Sequence, residues 1–427
     1  MKNYTYLIVG GGLSAARAAE GIRERDRKGS VLMVTEEALL PYDRPPLSKQ
    51  GLCEGAVAKE LELHSRWYYL TRRIRMKRRS AVTALEPDAK PRTARLSDGT
   101  VVGFEKAVLA TGARARRLPV PGADLAGVQT LRHFEDAYAI QRELTADGGA
   151  SGKRVVIVGA GFIGLEAAAA LTRLGAAVTV VELREHVWPG IAPAPLASFL
   201  TAYLESVGVQ FLFGNEVSAV EGGSRAERVV LSDGEHVNAD MVLAAVGIEP
   251  AVELAERAGI GVEREVLVDD QLQTSAAGIW AAGDVVKLKD PTNGRVRRLE
   301  HYGSAEATGY LAGLNAAGAG RTFQMLPYVW SDIGPLRIDI AGDETGWEET
   351  VIRGSLDAAQ GPDAQFAVLG LSGGKMVCYF AANMPDAERS ALQLLIRQRT
   401  SLTDAKEALQ DTGRRLQQVA MELIQNA

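Results

Sequence analysis

The stretch Tyr4-Thr5-Tyr6-Leu7-Ile8-Val9-Gly10-Gly11-Gly12-Leu13-Ser14-Ala15-Ala16-Arg17-Ala18-Ala19-Glu20 decides how this chain is read. Tyr4 to Val9 is apolar and rich in β-formers, the three glycines make a turn, and Leu13 to Arg25 is Ala-rich and helical in pattern. Val31-Leu32-Met33-Val34 then reads as a short buried strand. The same succession returns about 150 residues later. Val155-Val156-Ile157-Val158 is a strand, Gly159-Ala160-Gly161 a turn, Phe162 to Leu174 a helix, and Val178-Thr179-Val180-Val181 a second strand. A strand–turn–helix–strand unit has been used twice.

Each turn has the composition that a dinucleotide requires. In Gly10-x-Gly12-x-x-Ala15 the first glycine permits the tight turn, the second lets backbone approach a pyrophosphate, and Ala15 keeps the helix close to the sheet. The helix N-terminus then meets the phosphate charge. Glu36 closes the next strand, where a carboxylate accepts from a ribose diol. Gly159-x-Gly161-x-x-Gly164 repeats the pattern more strictly, and Glu182 ends its second strand. A carboxylate there accepts from the adenosine 2′-OH and repels a 2′-phosphate, which favours NADH over NADPH. Arg184 and His186 follow closely and could hold a phosphate, so NADPH stays open. Two such units imply one site for a flavin dinucleotide and one for a nicotinamide. The expected fold class is α/β, with two Rossmann-like dinucleotide-binding domains and a smaller C-terminal α/β domain.

At 427 residues the chain needs more than one core. A net charge of −5 argues against holding nucleic acid or an anionic membrane. Its two cysteines, Cys53 and Cys378, are far apart, which excludes a local dithiol and any cysteine-built zinc or iron–sulfur cage. The five histidines show no metal-ligand spacing, so no metal site is expected. No apolar run approaches the ~20 residues of a membrane span, and the first strand begins without a signal-peptide pattern. A cytoplasmic location is the expectation, with Cys53 read as a small buried residue.

Between the duplicated units lie hairpin-like strands (Ala81 to Leu85, Thr93 to Leu96), the turn Ser97-Asp98-Gly99, the strand Ala107-Val108-Leu109 and a proline-punctuated linker over Leu118-Pro119-Val120-Pro121-Gly122. After Thr322 the character changes to short strands, a polar helix from about Asp386 to Arg399, and a charged, Gln-rich tail. The domain expectation is 1–115 with 246–325 for the flavin, 116–245 for the nicotinamide, and 326–427 for the C-terminal domain. One run stands apart: Arg72, Arg73, Arg75, Lys77, Arg78 and Arg79, with Ile74 and Met76 alternating among them. It suits an exposed strand with one buried face, serving either as a charged edge that resists aggregation or as a docking patch for an acidic electron carrier.

Four further motifs make the chain recognisable: Pro41-Tyr42-Asp43-Arg44-Pro45-Pro46-Leu47-Ser48-Lys49, Ala110-Thr111-Gly112, Ala282-Gly283-Asp284 and Trp330-Ser331-Asp332. With the glycine turns they resemble the FAD-dependent pyridine nucleotide reductases of the ferredoxin and rubredoxin reductase type, related to apoptosis-inducing factor. The resemblance implies FAD, with NADH as the source of electrons. It implies that Lys49 sits near the flavin N5 edge, paired with Glu166, and that Asp284 accepts from the ribityl chain. Arg132, Val82 and Ser14 match other flavin contacts, as do Arg44, Ala110, Thr111, Gly112 and Gly283. Leu13 belongs to the first turn, and Phe162, Ile163, Val246 and Gly247 belong with the second. Backbone at His301-Tyr302 and the Trp330 ring are implied to cover the flavin's pyrimidine side. His301-Tyr302 departs from the tryptophan-containing string of bacterial ferredoxin reductases toward the histidine version of apoptosis-inducing factor.

The implied activity is hydride transfer from NADH to FAD, followed by electron transfer to a small iron–sulfur carrier, by a monomer or homodimer. The alternatives are a redox-dependent interaction protein resembling apoptosis-inducing factor, and an NADH oxidase or quinone reductase.

Overall fold

The computed structural model describes residues 1–145 and 149–425. They fall into two compact units. The first comprises Met1–Asp43, Ala58–Arg114 and Ile248–Pro327; the second comprises Arg44–Val57, Ala115–Gly247 and Tyr328–Ala427.

The first unit is built on a seven-stranded sheet. Strand Lys2–Val9 lies at its centre, parallel to Val31–Val34 on one side and Val101–Leu109 on the other. Val31–Val34 is followed outward by Ile74–Lys77, which forms an edge. On its far side Val101–Leu109 pairs with the antiparallel hairpin of Arg92–Leu96 and Val82–Glu86 at one end and with parallel Ile279–Ala281 at the other. The chain therefore runs from the central strand out to one edge before crossing back, which leaves a crevice beyond the carboxyl end of Lys2–Val9. Gly10 to Gly12 occupy that end.

Helix Leu13–Arg25 follows the turn and packs closely against helix Tyr302–Ala316. Small residues allow the approach. A Cβ at Gly309 would lie 2.4 Å from the Ser14 carbonyl oxygen, and one at Gly313 would lie 2.1 Å from that of Ala18.

In the second unit five parallel strands run in the order Gln210–Phe213, Ala177–Glu182, Arg154–Val158, Met241–Ala244, Val128–Thr130. The strand that leads into the glycine turn is again central. The same unit contains an antiparallel five-stranded sheet ordered Tyr328–Ile333, Leu336–Gly342, Lys375–Ala382, Phe366–Ser372, Glu349–Gly354.

The elements differ from expectation in two places. Strand Val31–Val34 stops two residues before Glu36, which is exposed in the following loop rather than closing the strand. The segment expected as a tail is folded, with helices Lys406–Gln410 and Leu416–Gln425. Leu416, Val419 and Ala420 recur at helical spacing and are buried, a short apolar stripe easily lost among glutamines.

Candidate functional site

Both glycine turns are shaped by backbone that leaves no room for side chains. Gly10 has φ +125°, and a Cβ there would lie 2.1 Å from the carbonyl oxygen of Ala110. Gly12 caps helix Leu13–Arg25 with φ −88°, with no side-chain cap and no acidic residue in the first turn. The unsatisfied N–H groups of that turn therefore face outward as an anion site. Leu13, Ser14 and Ala15 are buried behind them.

Ala110, Thr111 and Gly112 run alongside the turn. The Ala110 N–H donates to the Val9 carbonyl (2.8 Å), and the Thr111 hydroxyl to the Ala251 carbonyl (2.8 Å). Gly283 joins the same place: its N–H donates to the Thr308 hydroxyl (3.0 Å), and a Cβ on it would meet the Ser14 hydroxyl at 2.4 Å. Ser14 in turn donates to the Ala305 carbonyl (2.8 Å), so its proton is committed to the helix pair. Asp284, next along, is half-buried. Val82 is buried at the head of its strand opposite Leu96. His301 caps helix Tyr302–Ala316, and the Tyr302 hydroxyl donates to Asp43 (2.6 Å). Burial, then Asp43, pushes the Tyr302 phenol well above its ordinary range, so it stays a donor.

The second turn repeats this construction. Gly159 has φ +105° with the Ala245 carbonyl oxygen 2.6 Å from its would-be Cβ, and a Cβ on Gly164 would lie 2.0 Å from the Gly159 oxygen. Gly161 caps helix Phe162–Arg173 without a side-chain cap, and nothing lies within 4 Å of its would-be Cβ. Two glycines serve packing; the third leaves open backbone where a ligand can approach. The turn thus fits a pyrophosphate. Val246 and Gly247 follow strand Met241–Ala244, and Gly247 too has open space. Phe162 packs against the buried Trp188 ring (4.7 Å), while Ile163 is exposed.

Glu182 is buried, and its two oxygens accept from the N–H of Ala160 (2.7 Å) and of Arg184 (2.9 Å). Each carboxylate oxygen retains a further acceptor position. The acid therefore ties the glycine turn to the end of its strand, while the Arg184 side chain lies exposed.

Within the second unit, residues from three distant segments form a charged cluster. Pro45–Ser48 is a 3₁₀ turn that delivers Ser48 and Lys49. The Lys49 ammonium lies 3.2 Å from Glu166 Oε1 and 3.6 Å from Asp332 Oδ2. Glu166 projects from the Phe162–Arg173 helix and is only 4% exposed. It accepts from the Ser48 hydroxyl (2.5 Å) and the Ser331 hydroxyl (2.7 Å). Burial pushes its carboxyl upward, against the pull of Lys49 and of the two hydroxyls. The pairing of Lys49 with Glu166 was legible in the sequence. The parts of Ser48, Ser331 and Asp332 were not, although all three stand inside motifs that could have suggested them. Beside the cluster, Arg44 Nε donates to the Arg132 carbonyl (3.2 Å), and Trp330 lies in the same strand as Ser331 with Arg337 over its ring (5.4 Å).

Neither cysteine takes part in a disulfide. The Cys53 thiol donates to the Ala170 carbonyl (3.4 Å), and burial raises its pKa and that of Cys378. Among the described residues, no group of His, Cys, Asp and Glu could hold a metal ion, and no helix is long and apolar enough to cross a membrane.

Two central strands, each ending in a glycine turn that opens an uncapped helix, define a protein of the two-dinucleotide oxidoreductase class. The chain belongs to the pyridine nucleotide-disulphide oxidoreductase family, whose model matches residues 4–309, and residues 328–420 match the reductase C-terminal domain. It is 34% identical to the ferredoxin–NAD(+) reductase component of the anthranilate 1,2-dioxygenase system of Burkholderia cepacia, covering 89% of this chain and 91% of that one. It is 30% identical to a rubredoxin–NAD(+) reductase of Pseudomonas putida, over 89% and 96% respectively. Among solved structures, a ferredoxin reductase from Rhodopseudomonas palustris aligns with a TM-score of 0.90 at 29% identity, over 98% of this chain and all of the other. A covalent putidaredoxin reductase–putidaredoxin complex aligns equally well, at 28% identity over 99% of both chains.

Proposed function

We propose that this protein is an FAD-dependent NADH oxidoreductase that passes electrons to a small iron–sulfur carrier. The observation that carries the reading is the duplicated turn, in which two helices begin without a side-chain cap and lie beside glycine backbone. The naming of its relatives as ferredoxin and rubredoxin reductases supports the choice of acceptor. When bound, the cofactors supply the chemistry: hydride passes from nicotinamide to flavin, and electrons leave singly.

The protein contributes binding, orientation and charge. The first turn, with Gly10, Gly12, Ala110, Gly112, Gly283 and Asp284, holds FAD. The second, with Gly159, Gly161 and Gly164, holds the nicotinamide dinucleotide. Lys49 contributes a positive charge held in place by Glu166 and Asp332. Glu166 acts through Lys49 as a positioning residue, held in turn by Ser48 and Ser331. The Glu182 carboxylate favours a free 2′-OH over a 2′-phosphate, so NADH is the preferred donor.

Stopped-flow reduction followed by an acceptor screen tests this reading. The purified protein shows a flavin spectrum, is bleached faster by NADH than by NADPH, and reduces a [2Fe–2S] ferredoxin or a rubredoxin rapidly. A colourless protein with no affinity for FAD defeats the whole reading. A long-lived reduced form that no iron–sulfur carrier reoxidises defeats the assignment of acceptor.

A further inference from the structure

The loop that follows Glu182 returns to the glycine turn beyond strand Arg154–Val158. It covers residues 183–193, between strand Ala177–Glu182 and helix Ala194–Ser206. Its Trp188 N–H donates to the Ala160 carbonyl (2.9 Å), while the Ala160 N–H donates to Glu182 (2.7 Å). Both backbone polar groups of the residue between Gly159 and Gly161 are therefore taken by chain just past the second strand. Ala160 itself is fully buried.

That clamp sets where the next donor points. A trans peptide is planar, with its carbonyl and its N–H on opposite sides. Holding the Ala160 carbonyl toward Trp188 turns the Gly161 N–H away from it. Among the described residues no acceptor takes that N–H, and nothing lies within 4 Å of a would-be Cβ on Gly161. It is the donor left for a diphosphate where helix Phe162–Arg173 begins.

Trp188 holds this place under strain. Its φ of +47° lies in the left-handed region, which a bulky residue rarely adopts. Such strain persists only where the surroundings over-determine it. Here the ring does so: it is 1% exposed and packs against Phe162, the first residue of the helix, with centroids 4.7 Å apart. The Trp188 carbonyl closes the loop by accepting from the N–H groups of Ile191 and Ala192 (3.0 Å each). The indole Nε1 finds no acceptor among the described residues. A buried donor without a partner is destabilising, so the ring is there for its shape and not for a hydrogen bond.

We infer that Trp188 is a positioning residue for the nicotinamide dinucleotide, its buried ring fixing a strained backbone whose N–H aims the Gly161 peptide at the diphosphate. The inference rests on the reading of the second turn as the dinucleotide site.

The test uses the FAD-loaded full chain, with ADP-ribose as a probe that carries the diphosphate and adenosine as one that lacks it. Wild type is compared with Trp188→Leu, which keeps apolar bulk without a flat ring, and Trp188→Phe, which keeps a ring without the orphaned N–H. In calorimetric titration Trp188→Leu weakens ADP-ribose about tenfold and moves adenosine by less than about twofold. KM for NADH rises in step with the ADP-ribose Kd, while the limiting rate of flavin reduction at saturating NADH holds. Trp188→Phe stays close to wild type in each readout.

An equal loss for adenosine and ADP-ribose overturns the inference, because the whole domain has then loosened. Unchanged ADP-ribose binding in Trp188→Leu overturns it as well, and so does a Trp188→Phe variant no better than Trp188→Leu. If Trp188→Leu does not fold, Phe162→Leu removes the same ring contact from the helix side. It gives the same diphosphate-selective loss, and an absence of that loss overturns the clamp. A wild type that binds neither ADP-ribose nor NADH overturns the dinucleotide reading itself, and the clamp with it.

Discussion

Glu166 concentrates the chemistry of one residue into a single conflict. Burial opposes its charge, while Lys49, Ser48 and Ser331 all favour it. Its carboxyl is raised overall, so the neutral form appears at higher pH than for an exposed glutamate. The rate of NADH-driven bleaching therefore falls on the acid side as Lys49 loses its charged partner. Removing one donor makes the anion harder to keep, so Ser331→Ala moves that acid limb to higher pH, as a stopped-flow pH profile reads directly. Glu166→Gln abolishes the limb and slows bleaching about tenfold, equivalent to ~1.4 kcal/mol in the barrier. The stability effect has the opposite sense. A carboxyl with a raised folded-state pKa favours the fold at low pH, and that contribution is lost as pH rises through the folded value. Denaturant midpoints at several pH values show wild type losing ground to Glu166→Gln as pH rises from about 4.

At the scale of an element, each glycine turn separates fold from function. Gly159 holds a left-handed conformation against the Ala245 carbonyl, so Gly159→Ala costs about 1–3 kcal/mol from strain alone and lowers the thermal midpoint. Gly161 has an ordinary φ of −78° and open space, so Gly161→Ala keeps the midpoint and weakens NADH binding about tenfold or more in titration. Equal stability losses in both variants would contradict the assignment of Gly161 to a ligand. The paired helices Leu13–Arg25 and Tyr302–Ala316 obey the same steric rule. A methyl at Gly309 forces backbones apart, with an expected cost of about 1–3 kcal/mol in chemical denaturation. The Ala-rich pattern announced the first of these helices, but neither the second nor their packing, since nearly 300 residues separate their starts.

For the whole molecule, the two turns make stability depend on ligand. Binding to the folded state alone adds ~2.7 kcal/mol at a hundredfold excess over Kd. Stripping FAD therefore lowers the thermal midpoint, and adding back FAD restores it in a concentration-dependent way. Calorimetry of stripped and reconstituted protein checks this, and an unchanged midpoint would sink FAD as the resident group. The C-terminal helices belong to the same accounting. Buried Arg353 donates to the carbonyls of Leu409 (3.1 Å), Asp411 (2.6 Å) and Arg414 (2.6 Å), which anchors a segment whose polar composition concealed its fold.

What the sequence determined by itself is whatever depends on neighbours in the chain. The two glycine turns, the strands entering them and the helices leaving them are local, because turn geometry and hydrophobic period act over a few residues. The mate of Lys49 was legible only through the motifs it shares with known reductases. Tertiary structure decided what Glu166 experiences. Ser48 and Ser331 stand 118 and 165 residues away from it in the chain, and no local pattern can bring their hydroxyls to one buried carboxylate. It also decided that Glu182 first serves the protein, by closing the turn onto Ala160, and that Ser14 spends its proton on a helix contact. The turns could be read because their constraint is steric and local. The charge cluster could not, because its energy comes from burial, which exists only once distant segments have come together.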